Sequence, residues 1–377
     1  MRDFSEIKRV VVKVGSSSLV NADNSINFQR IDELMQTFIK LKKNNIEIAL
    51  VSSGAIALGM YQLGLSKKPK EMALKQACAA IGQAKLMQCY NDSASKYGLI
   101  CGQILLNHDD FQVRKRMLYL CDTLDAMFKN NIIPIINEND ALAVEEIKVG
   151  DNDTLASLIV PMIKANLLVL FSDIDGLFNK NPKLHSDAFI IKTVDKIDNN
   201  VLSMVGDSTS NVGTGGMKTK INAAIIATTA CCNMIICNSQ EISRLDDIIK
   251  GEEIGTLFTA KKKGISSREH WMIFKANSSG NIIVDDGCKD MLLKKKVSIL
   301  PKGVVSVNGE FLQGAVIDIC DKNNKIIAKG ITNYSYLDIL RIKGLSTMEV
   351  KQLISSDAKS EIIHANNMVV FREDLLC

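Results

Sequence analysis

Short apolar runs alternate with stretches of helical spacing through the first two-thirds of the chain. Arg9-Val10-Val11-Val12-Lys13-Val14 predicts a buried strand, and Ile46 to Val51 a second. Leu99 to Leu106, Ile132 to Ile136 and Leu167 to Phe171 predict three more. Between them, Ile31 to Leu41 and Ile221 to Cys231 have the spacing of helices. Met72 to Tyr97 predicts a long helix with Ala73, Ala77, Ala80, Ala84 and Met87 on a similar face. Continuous apolar strands alternating with helices imply an α/β fold, a three-layer, mainly parallel sheet covered on both faces.

The texture changes near Lys261-Lys262-Lys263-Gly264, and Arg268 to Lys275 bridges the change. Short strands follow at Asn281 to Val284, Val304 to Val307, Ala315 to Ile319 and Ile326 to Ala328. Turn chemistry separates them at Asp286-Gly287, Asn308-Gly309 and Asn323-Asn324. The expected organisation is a first domain over 1–260, a linker over 261–278 and a small β-rich domain over 279–377.

Composition adds little beyond a globular enzyme. The chain has 377 residues, 46% hydrophobic and 23% charged, and a net charge of +4 that does not by itself imply nucleic acid. Ten cysteines include no CxxC pair and the four histidines lie far apart, so no zinc signature emerges. Buried free thiols fit that pattern and a reducing cytosol. The polar start Met1-Arg2-Asp3-Phe4-Ser5-Glu6 is not followed by an apolar core, which argues against a signal peptide. Leu158 to Phe171 is interrupted by Lys164 and Asn166 and is too short and polar to span a bilayer.

Four polar or glycine-rich junctions follow strands, where ligands bind in open parallel sheets. Lys13-Val14-Gly15-Ser16-Ser17-Ser18 offers N–H groups and a point charge to a phosphate, or is a plain strand-end turn. Val51-Ser52-Ser53-Gly54-Ala55 suits a carboxylate, or caps a helix. Pro134 to Thr154 gathers Asn137, Glu138, Asn139, Asp140, Asp151, Asn152 and Asp153. These could hold an ammonium and orient lysines; a plain acidic surface loop competes, and the EF-hand spacing is missing. Ser172-Asp173-Ile174-Asp175-Gly176 joins Gly213-Thr214-Gly215-Gly216-Met217-Lys218-Thr219-Lys220, a glycine cluster opening a helix. It matches neither a P-loop nor a Rossmann fingerprint. Lysines at a helix start oppose the helix dipole unless an anion is bound there.

Together these junctions resemble the amino-acid kinase family and, within it, the glutamate 5-kinases. The carrying segments are VKVGSSSLV at 12–20, VSSGAIALG at 51–59, IINENDA at 135–141, GDNDTLA at 150–156, LFSDIDGLF at 170–178 and GTGGMKTK at 213–220. The segment 281–371, with Val284-Asp285-Asp286-Gly287 and Leu300-Pro301-Lys302-Gly303-Val304, resembles the PUA domain of many such kinases. The resemblance implies an ATP site at Lys13, Ser172, Asp173, Thr214, Gly215, Gly216, Met217, Lys218, Thr219 and Lys220, with Gly15 as an N–H donor. It implies a glutamate site at Ser53, Asp140 and Asn152, with Gly54 and Asn137 beside them. Asp153 matches the acid that organises Lys13 and Lys220. Where the family often has Thr-Ser-Gly and Gly-Thr-Ser, this chain has Ser52-Ser53-Gly54 and Gly15-Ser16-Ser17.

The implied reaction is ATP-dependent phosphorylation of the L-glutamate side-chain carboxylate, the first step of proline synthesis, with Mg²⁺ held largely by phosphates and water. That carboxylate is ionised at neutral pH and needs no general base, in keeping with the lack of a His or Cys nucleophile at these junctions. The resemblance also implies feedback inhibition by proline, a downstream glutamyl-phosphate reductase, a homodimer or homotetramer, and a cytoplasmic location. Within the fold, a kinase for aspartate, acetylglutamate, carbamate or uridylate is the rival reading. From another class, the rival is an RNA-binding protein whose first domain senses nucleotide. PUA domains elsewhere bind RNA, and Lys261–Lys263 and Lys294–Lys296 are basic, although such runs are usually solvated faces.

Overall fold

Strands expected from continuous apolar runs pair side by side in the computed structural model. It describes residues 2–142, 152–182, 184–204, 216–262, 264–265, 267–274, 276–355 and 358–371. The chain divides into two compact units, Met1–Gly264 and Ile265–Cys377.

The first unit runs β1 (Arg9–Val14), α1 (Ser16–Leu19), α2 (Phe28–Lys43), β2 (Glu47–Ser52), α3 (Ala55–Gln62), α4 (Met72–Lys96), β3 (Ile100–Leu106), α5 (His108–Gln112), α6 (Arg114–Lys129) and β4 (Ile132–Glu138). It continues with α7 (Asn152–Ile163), β5 (Leu167–Ser172), β6 (Thr193–Val194), α8 (Asn199–Ser203), α9 (Met217–Thr229), β7 (Asn233–Asn238), α10 (Leu245–Ile249) and β8 (Thr256–Phe258). The eight strands form one sheet in the order β3-β4-β2-β1-β5-β7-β8-β6. Its pairs are parallel except β7 with β8. Val10, Val11, Val12 and Val14 of β1, and all of β5, are buried, as a parallel strand covered on both faces requires.

Helix α2 shows how the local code works. The Asn27 side chain accepts the Arg30 N–H at its start, satisfying an orphan donor. Ile31, Leu34, Met35, Phe38 and Leu41 are then buried at helical spacing, and Lys40, Lys42 and Lys43 occupy the last turn. Asn45, at φ 59°, turns the chain into β2.

The long helix α4 forms where expected, and its buried face is not the alanine stripe. Ala73, Ala77, Ala80 and Ala84 are exposed, while Cys78, Ala79, Gly82, Gln83, Leu86, Met87, Cys89 and Tyr90 are buried. Alanine gains little from burial, so an alanine stripe directs a helix weakly. A glycine contact decides instead. A Cβ on Gly82 would lie 1.8 Å from the Ala55 carbonyl oxygen, and one on Gly59 would lie 1.8 Å from that of Cys78. Helices α3 and α4 therefore meet backbone to backbone.

The second unit contains α11 (Ser267–Phe274), β9 (Gly280–Val284), α12 (Asp286–Lys294), β10 (Val304–Gly309), β11 (Val316–Cys320), β12 (Ile326–Ile331), α13 (Tyr336–Ile342), α14 (Thr347–Leu353) and β13 (Met368–Val370). Helix α11 lies within the stretch expected as a linker. The sheet order is β10-β9-β11-β12-β13, antiparallel except β9 with β11. Ile282, Val284, Ile317, Ile319, Ala328, Ile339 and Ile363 belong to a core of its own. Asp286-Gly287 is not the expected turn. Asp285 accepts the Cys288 N–H at 2.7 Å and starts α12 there, because an aspartate one residue earlier makes a helix cap. Asn324, at φ 60°, does turn the chain between β11 and β12.

Cys78, Cys89, Cys232, Cys237 and Cys320 are buried free thiols, while Cys231 is exposed. Among the described residues, no helix is long and apolar enough to cross a membrane.

Candidate active site

The sheet order sets four neighbouring strands, β4, β2, β1 and β5, side by side and parallel, so their carboxyl ends share one edge. Val14 pairs with Ser52 on one side and Phe171 on the other. The junctions after these strands therefore converge on a cleft of about 710 Å³. Its walls include Lys13, Gly15, Ser53, Gly54, Asn137, Asp140, Asn152, Asp153, Ser172, Asp173 and Lys220. Helices α7 and α9 contribute their first turns, which carry Asn152, Asp153 and Lys220.

Asp153 lies at the centre of the charge arrangement. It is 1% exposed, and its two oxygens meet Lys13 Nζ at 2.5 Å and Lys220 Nζ at 3.0 Å. Burial pushes its carboxyl up, but Lys13 and then Lys220 outweigh that and hold it below the usual carboxylate range. The three groups carry a net charge of one positive unit inside a largely buried site. A buried excess cation of that kind is costly unless an anion joins it. Thr219 Oγ1 also reaches Asp153, at 3.4 Å, and donates to the Gly216 carbonyl at 2.7 Å.

Helix α9 starts at Gly216 with no acidic residue in its first turn. Lys218 is exposed there, and among the described residues a Cβ on Gly216 would meet nothing within 4 Å. A 13-residue helix whose first turn carries an exposed Lys218 and a buried Lys220 suits an anion such as a phosphate chain. On the β5 side, Ser172 donates to Asp173 Oδ1 at 2.9 Å. The expected ATP-site residues Thr214 and Gly215, with Gly213, lie outside the described residues, as do Gly150 and Asp151.

Beside this cluster, starting from the neighbouring Asn152, lies a wall of neutral polar groups. Asn152 Nδ2 shares its hydrogens among the Ser52 carbonyl at 2.9 Å, Ser53 Oγ at 2.6 Å and Asn137 Oδ1 at 3.0 Å. The buried Asn152 Oδ1 has no hydrogen-bond partner among the described residues. Gly54 takes φ +104°, a left-handed conformation that lets the chain turn sharply from β2 into α3. Behind it, Ser52 Oγ and Tyr90 Oη are 2.8 Å apart, and burial pushes the Tyr90 phenol far above its ordinary value.

Other residues join the cleft. Glu138 lines it at the end of β4, and Ser16 and Ser17 line it beside Gly15. Lys68, exposed in the loop before α4, also lines the cleft. Gln83 and Tyr90 sit two turns apart on the buried face of α4 and support the polar wall. Their signal is two polar residues at helical spacing, which hydropathy alone does not separate from an exposed face.

Comparison with known proteins follows the same division. The model of the amino acid kinase family matches residues 8–238, and that of the PUA domain matches residues 280–354. The chain is 41% identical to a glutamate 5-kinase of Caldanaerobacter subterraneus subsp. tengcongensis, over 96% of this chain and 97% of that one. It is 42% identical to a glutamate 5-kinase of Carboxydothermus hydrogenoformans, over 98% and 100%. With a glutamate 5-kinase of Geobacter sulfurreducens it shares 39%, over 97% and 98%. Among solved structures, carbamate kinase from Giardia lamblia bound to AMP-PNP matches with a TM-score of 0.51 at 15% identity, covering 68% of this chain and 100% of that one. At that identity the likeness concerns the fold alone.

Proposed function

The chain belongs to the amino acid kinase family and, within it, to the glutamate 5-kinases; from that premise we propose how its cleft works. The protein is a kinase that phosphorylates the side-chain carboxylate of L-glutamate to give L-glutamyl 5-phosphate, the first step of proline synthesis. ATP is the phosphoryl donor, as membership of a kinase family implies.

In the proposed reaction a glutamate side-chain oxygen attacks the γ-phosphorus in line. The new oxygen–phosphorus bond forms as the bond to the β-phosphate oxygen breaks, and ADP leaves. No proton moves, because the attacking carboxylate is already ionised. The residues must therefore align the partners and neutralise charge. Lys13 and Lys220, spaced by Asp153, would take up charge on the transferring group. Gly15, Gly216 and the α9 start, with Met217, Lys218 and Thr219, would receive the phosphate chain, with Ser172 and Asp173 at the nucleotide side. Ser53, Gly54, Asn137, Asp140 and Asn152 would hold glutamate, Asp140 taking its α-ammonium. What supports this most is the Lys13–Asp153–Lys220 arrangement, a buried excess of positive charge beside a neutral polar cluster.

Among the described residues, no group of three or more His, Cys, Asp or Glu could hold a metal ion by itself. Asp153 has both oxygens engaged by lysines. A Mg²⁺ arriving with the nucleotide would therefore take its ligands largely from phosphate oxygens and water, with the exposed Asp173 within the same cleft. We extend the reading to a kinase domain over 1–260 and a PUA-like domain over 279–377, a homo-oligomer, inhibition by proline and delivery of the labile product to a reductase.

The test is ATP-dependent acyl-hydroxamate formation in hydroxylamine with a panel of small acids. Signal with L-glutamate and none with aspartate or acetylglutamate is the expected result. Signal with another acid moves the substrate but keeps the mechanism. Silence from folded, ATP-binding protein would overturn the reading.

A further inference from the structure

The polar wall of the cleft is a relay of side-chain amides, and each hydrogen bond in it has a direction. Two backbone groups favour one direction, and the side chains between them hold it. The Glu138 N–H can only donate, and it donates to Asn137 Oδ1 at 2.9 Å. The Ser52 carbonyl can only accept, and it accepts from Asn152 Nδ2 at 2.9 Å. Asn137 must therefore turn its Nδ2 the other way, where Gln83 Oε1 receives it at 3.0 Å. Gln83 in turn points its Nε2 at Gln103 Oε1, 3.5 Å away.

The direction has consequences in the cleft. With Nδ2 committed to Ser52, Ser53 and Asn137, Asn152 leaves its carbonyl oxygen buried and unpartnered among the described residues. A buried acceptor without a donor is costly, so the site is built to receive a donor there. Ser53 Oγ accepts the Asn152 Nδ2 hydrogen at 2.6 Å, which frees its own hydrogen to donate. The wall thus presents an acceptor beside a donor, the complement of an ammonium beside a carboxylate.

We propose that Gln83, a residue outside the cleft, is a positioning residue that holds Asn137 and Asn152 in the amide polarity those backbone groups favour and thereby makes the site select an α-amino acid over a plain dicarboxylate. Gln83 is buried on α4, with its acceptor oxygen on Asn137. Without that acceptor, Asn137 Nδ2 is left unsatisfied in a buried site. Its amide is then driven to reorient, the Oδ1 that holds Asn152 moves away, and Asn152 loses its fixed direction. The inference rests on glutamate as the substrate.

The test compares kcat/KM for L-glutamate with that for glutarate, which lacks the ammonium group, in the full chain. Measurements cover wild type, Gln83→Leu and Gln83→Glu. Wild type should favour glutamate strongly, because a site built to bond a group rejects the analogue without it. Gln83→Leu should reduce that preference by about tenfold or more while KM for ATP stays within about twofold. Gln83→Glu keeps an acceptor against Asn137 and should restore the preference to within about threefold of wild type. Where Gln83→Leu does not fold, Gln83→Asn withdraws the acceptor by one methylene and should show the same loss. Parallel decline on both substrates, or an unchanged preference, overturns the positioning role. Wild-type protein that phosphorylates neither compound overturns the glutamate reading itself, and this inference with it.

Discussion

A carboxylate buried as deeply as Asp153 would ordinarily tend to lose its charge; here two lysines keep it ionised. The lysines are in turn held apart and aimed by its two oxygens, Lys13 from the end of β1 and Lys220 from the first turn of α9. If they act on the transferring group, losing one should cost turnover more than binding. Lys13→Ala is expected to lower kcat by about a hundredfold or more with little change in KM for glutamate, as seen when a donor to transition-state charge is removed. Asp140→Ala should behave in the opposite way. It should raise KM for glutamate by about ten- to a hundredfold, the worth of a hydrogen bond to a charged group, with kcat changing less. Steady-state kinetics on the pair checks both roles at once, and exchanged phenotypes would reverse the assignments.

Between elements, backbone contacts carry precision that side-chain patterns do not reveal. The α3–α4 contact passes through Gly59 and Gly82, with no space for a Cβ at either. Because α3 begins at the Ser53-Gly54 wall, a wedge there should disturb both stability and substrate binding. Gly82→Ala is expected to destabilise by about 1–3 kcal/mol, the usual cost of overpacking, and to raise KM for glutamate. Thermal melting and kinetics test this; an unchanged Tm would show that the helices part freely. Helices α2 and α4 are joined differently. Asp32 accepts from Tyr97 Oη at 2.8 Å, Ser93 Oγ at 2.9 Å and Lys96 Nζ at 3.1 Å. The Tyr97 hydrogen bond foremost, against an opposing effect of burial and with help from the Lys96 and Ser93 hydrogen bonds and the Lys96 charge, lowers its pKa to about 2. A depressed carboxyl stabilises the fold above its unfolded pKa and loses that contribution as pH falls through the folded one. Wild type should therefore lose stability from about pH 4 down to about pH 2. Asp32→Asn should be less stable at neutral pH and show a shallower fall over that window in denaturant titrations. An identical pH slope in the two proteins would exclude Asp32 as the source.

At the scale of the whole molecule, the cleft residues among those described all precede Ile221, and the second unit has its own hydrophobic core. A unit with its own core can fold by itself. A chain ending at Gly264 is therefore expected to retain kcat/KM for glutamate within a few-fold of the full chain. A loss of much more than tenfold would mean that the second unit supports catalysis. The charge pattern that suggested RNA is a separate matter: Lys294, Lys295 and Lys296 belong to the second unit, and Lys263 lies outside the described residues.

Strand and helix periods, caps and strand-end polar clusters are local properties, so the chain order alone was enough for the parallel sheet and for the junctions around Lys13, Ser53, Asn137 and Ser172. Buried β1 and β5 read as apolar runs because both faces are covered. Asn27 and the α2 stripe read clearly because cap and moment lie within a few residues of each other. The buried face of α4 did not, since its direction comes from Gly59 and Gly82 meeting distant carbonyls, and glycine carries no hydropathic signal. For the same reason Gln83 and Tyr90 were missed. A polar side chain in a helix has no partner in sequence, and Asn137 lies 54 residues beyond Gln83. Sequence determined which residues could do chemistry; tertiary structure decided which way their hydrogen bonds run, because that depends on backbone groups brought together from separate strands.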